Sequence, residues 1–174
     1  VGALEFLEVK DKVHFADLSR LFLYYNERKI EGSTLFDSGA YLRDGIKSLA
    51  SDGVCKESLW WYLTFFYWLK PFWFAYNDAS NHQIQSYYRI TTLQEMKDCL
   101  ASGYPFVFGF TVYESFESPA VASTGIVPMP TPSERVLGGH AVLCVGYDDA
   151  TLRFLCRNSW GTGFGMKGYF TIPY

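Results

Sequence analysis

Charge is scarce in this chain. Only 19% of its 174 residues are charged, with Lys+Arg 15 against Asp+Glu 18 and a formal net charge of −3. No block of like charges occurs, which excludes an electrostatic grip on nucleic acid or on an anionic surface. Metal-ligand spacing is lacking as well. Cys55, His82 and Cys99 stand without a C-x2-C or H-x3-H pair, so they make no zinc motif. There is no N-x-Ser/Thr glycan acceptor and no internal repeat. The opening VGALEFLEVKDK has no basic stretch ahead of an apolar core, and it reads as the interior of a helix rather than a signal peptide. A spanning helix needs about 20 unbroken apolar residues. The densest apolar run, 59–76, is broken by Lys70 and Pro71.

Apolar residues, by contrast, are plentiful at 49%, ample for one globular unit or for two small lobes. Aromatics are concentrated in that same run, LWWYLTFFYWLKPFWFAY. Eleven of its eighteen residues are aromatic, including four of the chain's five tryptophans. It reads as a connection between lobes with its rings packed on both. A sticky or membrane-surface patch is the competing reading, since aromatic belts favour a lipid–water boundary.

Taken in order, residues 1–9 are helical, with Glu5 and Glu8 on the polar side. Asp17 caps a helix over Leu18–Glu27, in which Leu18, Leu21, Phe22 and Tyr25 follow an i, i+3, i+4, i+7 stripe. Ser38 caps another over Ser38–Gly53, with Leu42, Ile46, Leu49 and Ala50 on one face. Residues Ser86–Ile90 are a strand. Thr92 and Glu95 form a capping box for a helix through Ser102. Pro105–Val112 alternates in bulk as a buried strand does. Residues 117–136 are rich in Pro, Ser and Thr and read as a surface loop. Val142–Tyr147, Leu152–Arg157 and Tyr169–Ile172 are strands. Helices first and strands second make an α+β order. Cys144 and Cys156 lie in apolar strands and are expected in the core. His14 and His82, in polar surroundings, are expected in solvent. Four cysteines allow three pairings, and spacing does not choose among them.

The chemistry concentrates between Gly138 and Tyr169. GGHAVLCVGYDD places His140 at the mouth of an apolar strand; RNSWGTGFGMKGYF places Asn158 eighteen positions later, followed by Ser159, Trp160 and Gly161. An imidazole with a side-chain amide in reach suits a thiol nucleophile. The ring takes the thiol proton while the amide oxygen accepts the other ring N–H and selects the tautomer. This pair of segments resembles the C-terminal signature of the papain-like cysteine peptidases. The resemblance implies His140 as catalytic base, Asn158 as its orienting amide and Trp160 as the indole shielding their hydrogen bond. It also implies that Gly138 and Gly139 border the substrate cleft. The fold it implies is papain-like and two-lobed, α+β: residues 1–76 a mainly helical lobe, residues 77–174 a mainly β, barrel-like lobe carrying His140 and Asn158, and the cleft between them, all one domain. A peptide or protein is the implied substrate, with no metal or organic cofactor, no nucleic acid and no membrane. The family favours a secreted or lysosome-like compartment.

The family's C-G-[SA]-C-[WY] segment stands about 130–150 residues before its His and Asn. Residues 1–10 contain no cysteine, and none of Cys55, Cys99, Cys144 and Cys156 has that motif around it. The nucleophile is therefore expected just upstream of Val1, within an N-terminal fragment. Two other classes stay open: a catalytically inactive relative that binds peptides or proteins, and an interaction protein working through residues 59–76.

Overall fold

The computed structural model describes residues 1–11 and 14–174, which divide into two compact units, Val1–Arg89 and Ile90–Tyr174. The first unit is helical: α1 (Gly2–Lys10), α2 (Arg20–Glu31), α3 (Leu42–Ser51) and α4 (Trp73–Ala79), with a 3-10 turn at Thr64–Phe66. Its core gathers Leu4 of α1, Leu21, Phe22 and Leu23 of α2, Leu49 of α3 and Ala75 of α4.

The capping of α2 differs from the expectation at Asp17. Ser19 is the cap, its hydroxyl oxygen accepting the Phe22 N–H at 3.1 Å. Asp17 instead lies 3.9 Å from Arg20. Leu18 falls outside the helix and bridges to Lys56, the Ser19 N–H donating to the Cys55 carbonyl and the Glu57 N–H to that of Asp17, both at 2.7 Å. The Leu18 N–H itself donates to the Glu5 carboxylate of α1 at 3.1 Å. At α3, Ser38 does not cap either. The helix begins after Tyr41, and its inward face is Gly45, Ser48 and Leu49, while Leu42 stays exposed. Gly45 lets the Glu27 carboxylate of α2 come close: a Cβ there would sit 2.1 Å from its Oε1 and displace it. Gly53 follows the helix end at φ +74, as expected.

Glu27 has a measurable consequence. Burial pushes its carboxyl up to about 7; Glu31 and Asp44 add to the rise, and Arg28 pulls the other way. Its folded value exceeds the ordinary 4.5, so the folded state binds the proton more tightly than the unfolded chain does. The stabilisation is complete below about pH 4.5 and is lost as pH rises through 7, a swing of roughly 2–3 kcal/mol. Thermal melts at pH 5 and pH 8 check it. Glu27→Gln removes this part of the slope, and an unchanged slope in that variant would exclude Glu27 as its source.

The aromatic run does not pack on every side as the sequence reading had it. Trp60 and Ala75 are buried, and Tyr67, Leu69 and Tyr76 pack partly on the helical core. Trp61, Phe65 and Trp73 are 66%, 78% and 78% exposed, and Tyr62, Phe66, Trp68, Phe72 and Phe74 are exposed beside them. The run is a turn and a short helix in which Phe72 stacks on Phe74 at 5.7 Å and meets Trp60 edge to face, as Phe65 meets Phe66. His82 is also corrected: it is buried, its Nδ1 2.6 Å from the Glu8 Oε1. His14 is exposed.

Ser86–Ile90 forms no strand; no described strand offers it a ladder. The second unit opens with α5 (Leu93–Ala101), and its Thr92–Glu95 capping box is complete in both directions. Then follow β1 (Phe106–Tyr113), a 3-10 turn at Glu114–Glu117, α6 (Pro119–Thr124), β2 (Val136–Asp148), β3 (Arg153–Arg157) and β4 (Tyr169–Pro173). The four strands make one antiparallel sheet in the order β1-β2-β3-β4. Residues 117–136 are more than a surface loop. Ser118 caps α6 by accepting the Val121 N–H, and Val121 and Val127 enter the core with Phe116. Cys144 and Cys156 are in that core, as expected.

Candidate active site

His140 sits in β2, where its Cα pairs with Phe110 of β1. The β1 alternation turns Phe106, Phe108, Phe110 and Val112 to one side, and the Phe110 ring lies 5.9 Å from the imidazole. Phe116 flanks it at 6.0 Å. Asn158 follows the end of β3, its N–H donating to the Gly168 carbonyl at 2.8 Å. Gly168 has φ +91, so a glycine there lets the chain turn into β4 while offering that carbonyl. Gly165 has a second reason to be glycine, because a Cβ would meet the Tyr169 carbonyl oxygen at 2.5 Å.

The two side chains touch. His140 Nε2 lies 2.8 Å from Asn158 Oδ1, and the Ser159 N–H donates to the same oxygen at 2.8 Å. A backbone N–H can only donate, so the atom it meets is the amide oxygen and not Nδ2. An oxygen can only accept from the ring, so the proton of the neutral imidazole is on Nε2. The other nitrogen, Nδ1, carries the lone pair and has no hydrogen-bond partner among the described residues. Asn158 is buried, with its Nδ2 unpaired among the described residues, so what Oδ1 accepts orients the amide.

The Trp160 indole lies against the His140 ring. Its centroid is 5.0 Å from that of His140 at an interplanar angle of 31°, and its far side packs on Phe116 and Phe164 at 5.4 and 5.1 Å. The indole is 45% exposed, while Asn158 is buried. An open depression of about 110 Å³ is lined by Gly138, Gly139, His140 and Trp160, together with Val112, Glu117 and Leu137. Neither glycine would bring a Cβ within 4 Å of another group, so both leave that wall open. All five residues singled out from the sequence are thus in one patch. Glu117 and Leu137 were not foreseen: the turn at Glu114–Glu117 brings Glu117 to the site, and Leu137 comes with β2, directly before Gly138. Phe110 was foreshadowed by the alternation in β1.

A family model described as papain family cysteine protease matches residues 40–174. The chain belongs to the papain family of cysteine proteases. Among solved structures it is similar to xylellain, a cysteine protease from Xylella fastidiosa, with TM-score 0.92 and 44% identity over 99% of this chain and 70% of that one. A cysteine protease of Carica candamarcensis solved with E-64 shares the fold at TM-score 0.68 and 22% identity, over 99% of this chain and 75% of that one. A peptidase C1-like protein of Acanthamoeba polyphaga mimivirus is 46% identical over 165 residues, covering 90% of this chain and 53% of that protein. Cathepsin B-like CP3 of Giardia intestinalis is 42% identical over 79 residues, 42% of this chain and 24% of that protein. This papain-family chain therefore spans about half of the mimivirus protein and less of the cathepsin B-like one. Its α+β, papain-like fold is the one the sequence led us to expect.

Proposed function

We propose that the complete protein is a thiol peptidase in which His140 is the catalytic base and Asn158 its positioning amide, with the nucleophilic cysteine N-terminal to Val1 in the same papain-like domain. The observation that carries this reading is the Nε2–Oδ1 hydrogen bond, which leaves the Nδ1 lone pair free for a thiol proton. The resulting thiolate–imidazolium pair attacks the scissile carbonyl, and backbone N–H groups hold the oxyanion. Nδ1–H then protonates the leaving amine. Water, deprotonated by the same nitrogen, releases the acyl group as a carboxylic acid. These steps call for no metal or organic cofactor.

The four cysteines of this chain are poor substitutes for that nucleophile. Burial pushes the Cys55 thiol up to about 12 and raises that of Cys99, while Cys144 and Cys156 have no exposed surface. A reactive thiol needs a lowered pKa and access. An epoxysuccinyl probe such as E-64, applied to the complete protein with the adduct mapped by peptide mass spectrometry, tests the assignment. The expected adduct is on a cysteine preceding Val1. An adduct on Cys55, Cys99, Cys144 or Cys156 would overturn it. So would a Ser, Gly or Ala at the upstream position, which would make the protein a peptide-binding relative.

A further inference from the structure

Two thiols that this mechanism leaves unused face each other across the strands next to the site. Cys144 of β2 and Cys156 of β3 are direct register partners, both lack exposed surface, and both point into the same core cluster. The Cys144 thiol also lies 3.7 Å from the Gly146 carbonyl oxygen. Directly opposed residues of an antiparallel pair have Cα atoms about 4.5–5.5 Å apart, inside the range of about 4.4–6.8 Å that a disulfide spans. The ladder is irregular between Cys144 and Gly146, where a bulge bends β2. Neither of the other cysteines is a strand partner of this pair. Cys99, on α5, packs at the edge of the same cluster with its Sγ donating to the Tyr104 carbonyl, and Cys55 is in the core of the other unit.

We propose that Cys144 and Cys156 are a disulfide-forming pair, a covalent staple between the strand that carries His140 and the strand that leads to Asn158. The oxidant is a small-molecule disulfide of the glutathione type, met while the strands are still assembling, since the folded sheet shields both sulfurs. One cysteine thiolate attacks that disulfide, forming a mixed disulfide and expelling one thiolate. The second cysteine thiolate then attacks the protein sulfur of the mixed disulfide and expels the other. Two protein thiols are oxidised, one disulfide is reduced to two thiols, and the protons pass to the expelled thiolates.

The test begins with the complete protein reduced and unfolded, then refolded in mixtures of oxidised and reduced glutathione. Free thiols are alkylated, and the protein is digested without reductant for peptide mapping. The expected result is a linked pair of peptides containing Cys144 and Cys156, with Cys55 and Cys99 alkylated. The oxidised form should melt roughly 5–10 °C above its reduced form. Alkylation of Cys144 and Cys156 at every glutathione ratio overturns the proposal, as does a bond from either of them to Cys55 or Cys99. No activity is read, so failure here is separable from failure of the peptidase assignment.

Discussion

Replacing His140 by Ala in the complete protein should lower kcat/KM for peptide substrates by roughly 10²–10⁴-fold or more, chiefly through kcat, since general acid–base transfer supplies about that factor. The loss follows from geometry: Nε2 is committed to Asn158 Oδ1, so Nδ1 is the ring's one available base. Asn158→Ala should cost less, because it removes the orienter and leaves the base. Without the amide the imidazole is free to rotate and to switch tautomer, so the acidic limb of the pH–rate profile should move in Asn158→Ala. A merely structural role for Asn158 would lower yield and Tm without moving that limb. Unchanged kcat/KM in His140→Ala would remove His140 from the mechanism.

The largest effect on stability is expected at Arg28, a guanidinium with 0% exposure on α2 and no carboxylate bound to it among the described residues. Its charge is solvated by main chain. Nε donates to the Tyr24 carbonyl at 3.2 Å, Nη1 to those of Thr34 and Phe36 at 2.9 and 3.1 Å, and Nη2 to that of Tyr67. The Tyr24 and Tyr67 rings lie over it at 4.0 and 5.1 Å. One side chain thus ties the turn after α2 and the aromatic run to a single helix. Arg28→Met leaves several carbonyls dry at about 1–3 kcal/mol each, for a net loss on the order of 3–5 kcal/mol. In Tm that is on the order of 10 °C. Arg28→Lys should recover only part of it, because an ammonium is a point donor and does not reach in three directions. Thermal melts decide this; a Tm within 2 °C of the parent in Arg28→Met, on a scale of roughly 2–4 °C per kcal/mol, would show that the carbonyls find other partners.

The sequence reading and the structure agree where bonding partners are neighbours in the chain. The Thr92–Glu95 box closes over three residues, and its donors and acceptors are all in one turn. β1 is legible because alternation of bulk is a property of adjacent residues, and β3 because its apolar run is. Asp17 and Ser38 misled because either can cap in isolation, while the cap actually used depends on distant groups. Ser19 is held by bonds to residues 55 and 60: its N–H donates to the Cys55 carbonyl at 2.7 Å, its hydroxyl to that of Trp60 at 2.5 Å. Ser86–Ile90 has strand composition, yet a strand exists only where a second one supplies the ladder.

By itself, the sequence determined the family and the α+β order, and it supplied the histidine, amide and indole we propose for the site. A motif of fixed order records chemistry that depends on particular side chains. Only the tertiary structure decided which atoms meet. It put Asn158 Oδ1 on Nε2, His82 against Glu8, Arg28 among carbonyls and Cys144 opposite Cys156. It also left the rings of residues 61–74 largely in solvent. These are contacts between segments far apart along the chain, set by strand register and by packing around a shared core, and neither is encoded within a single turn or strand.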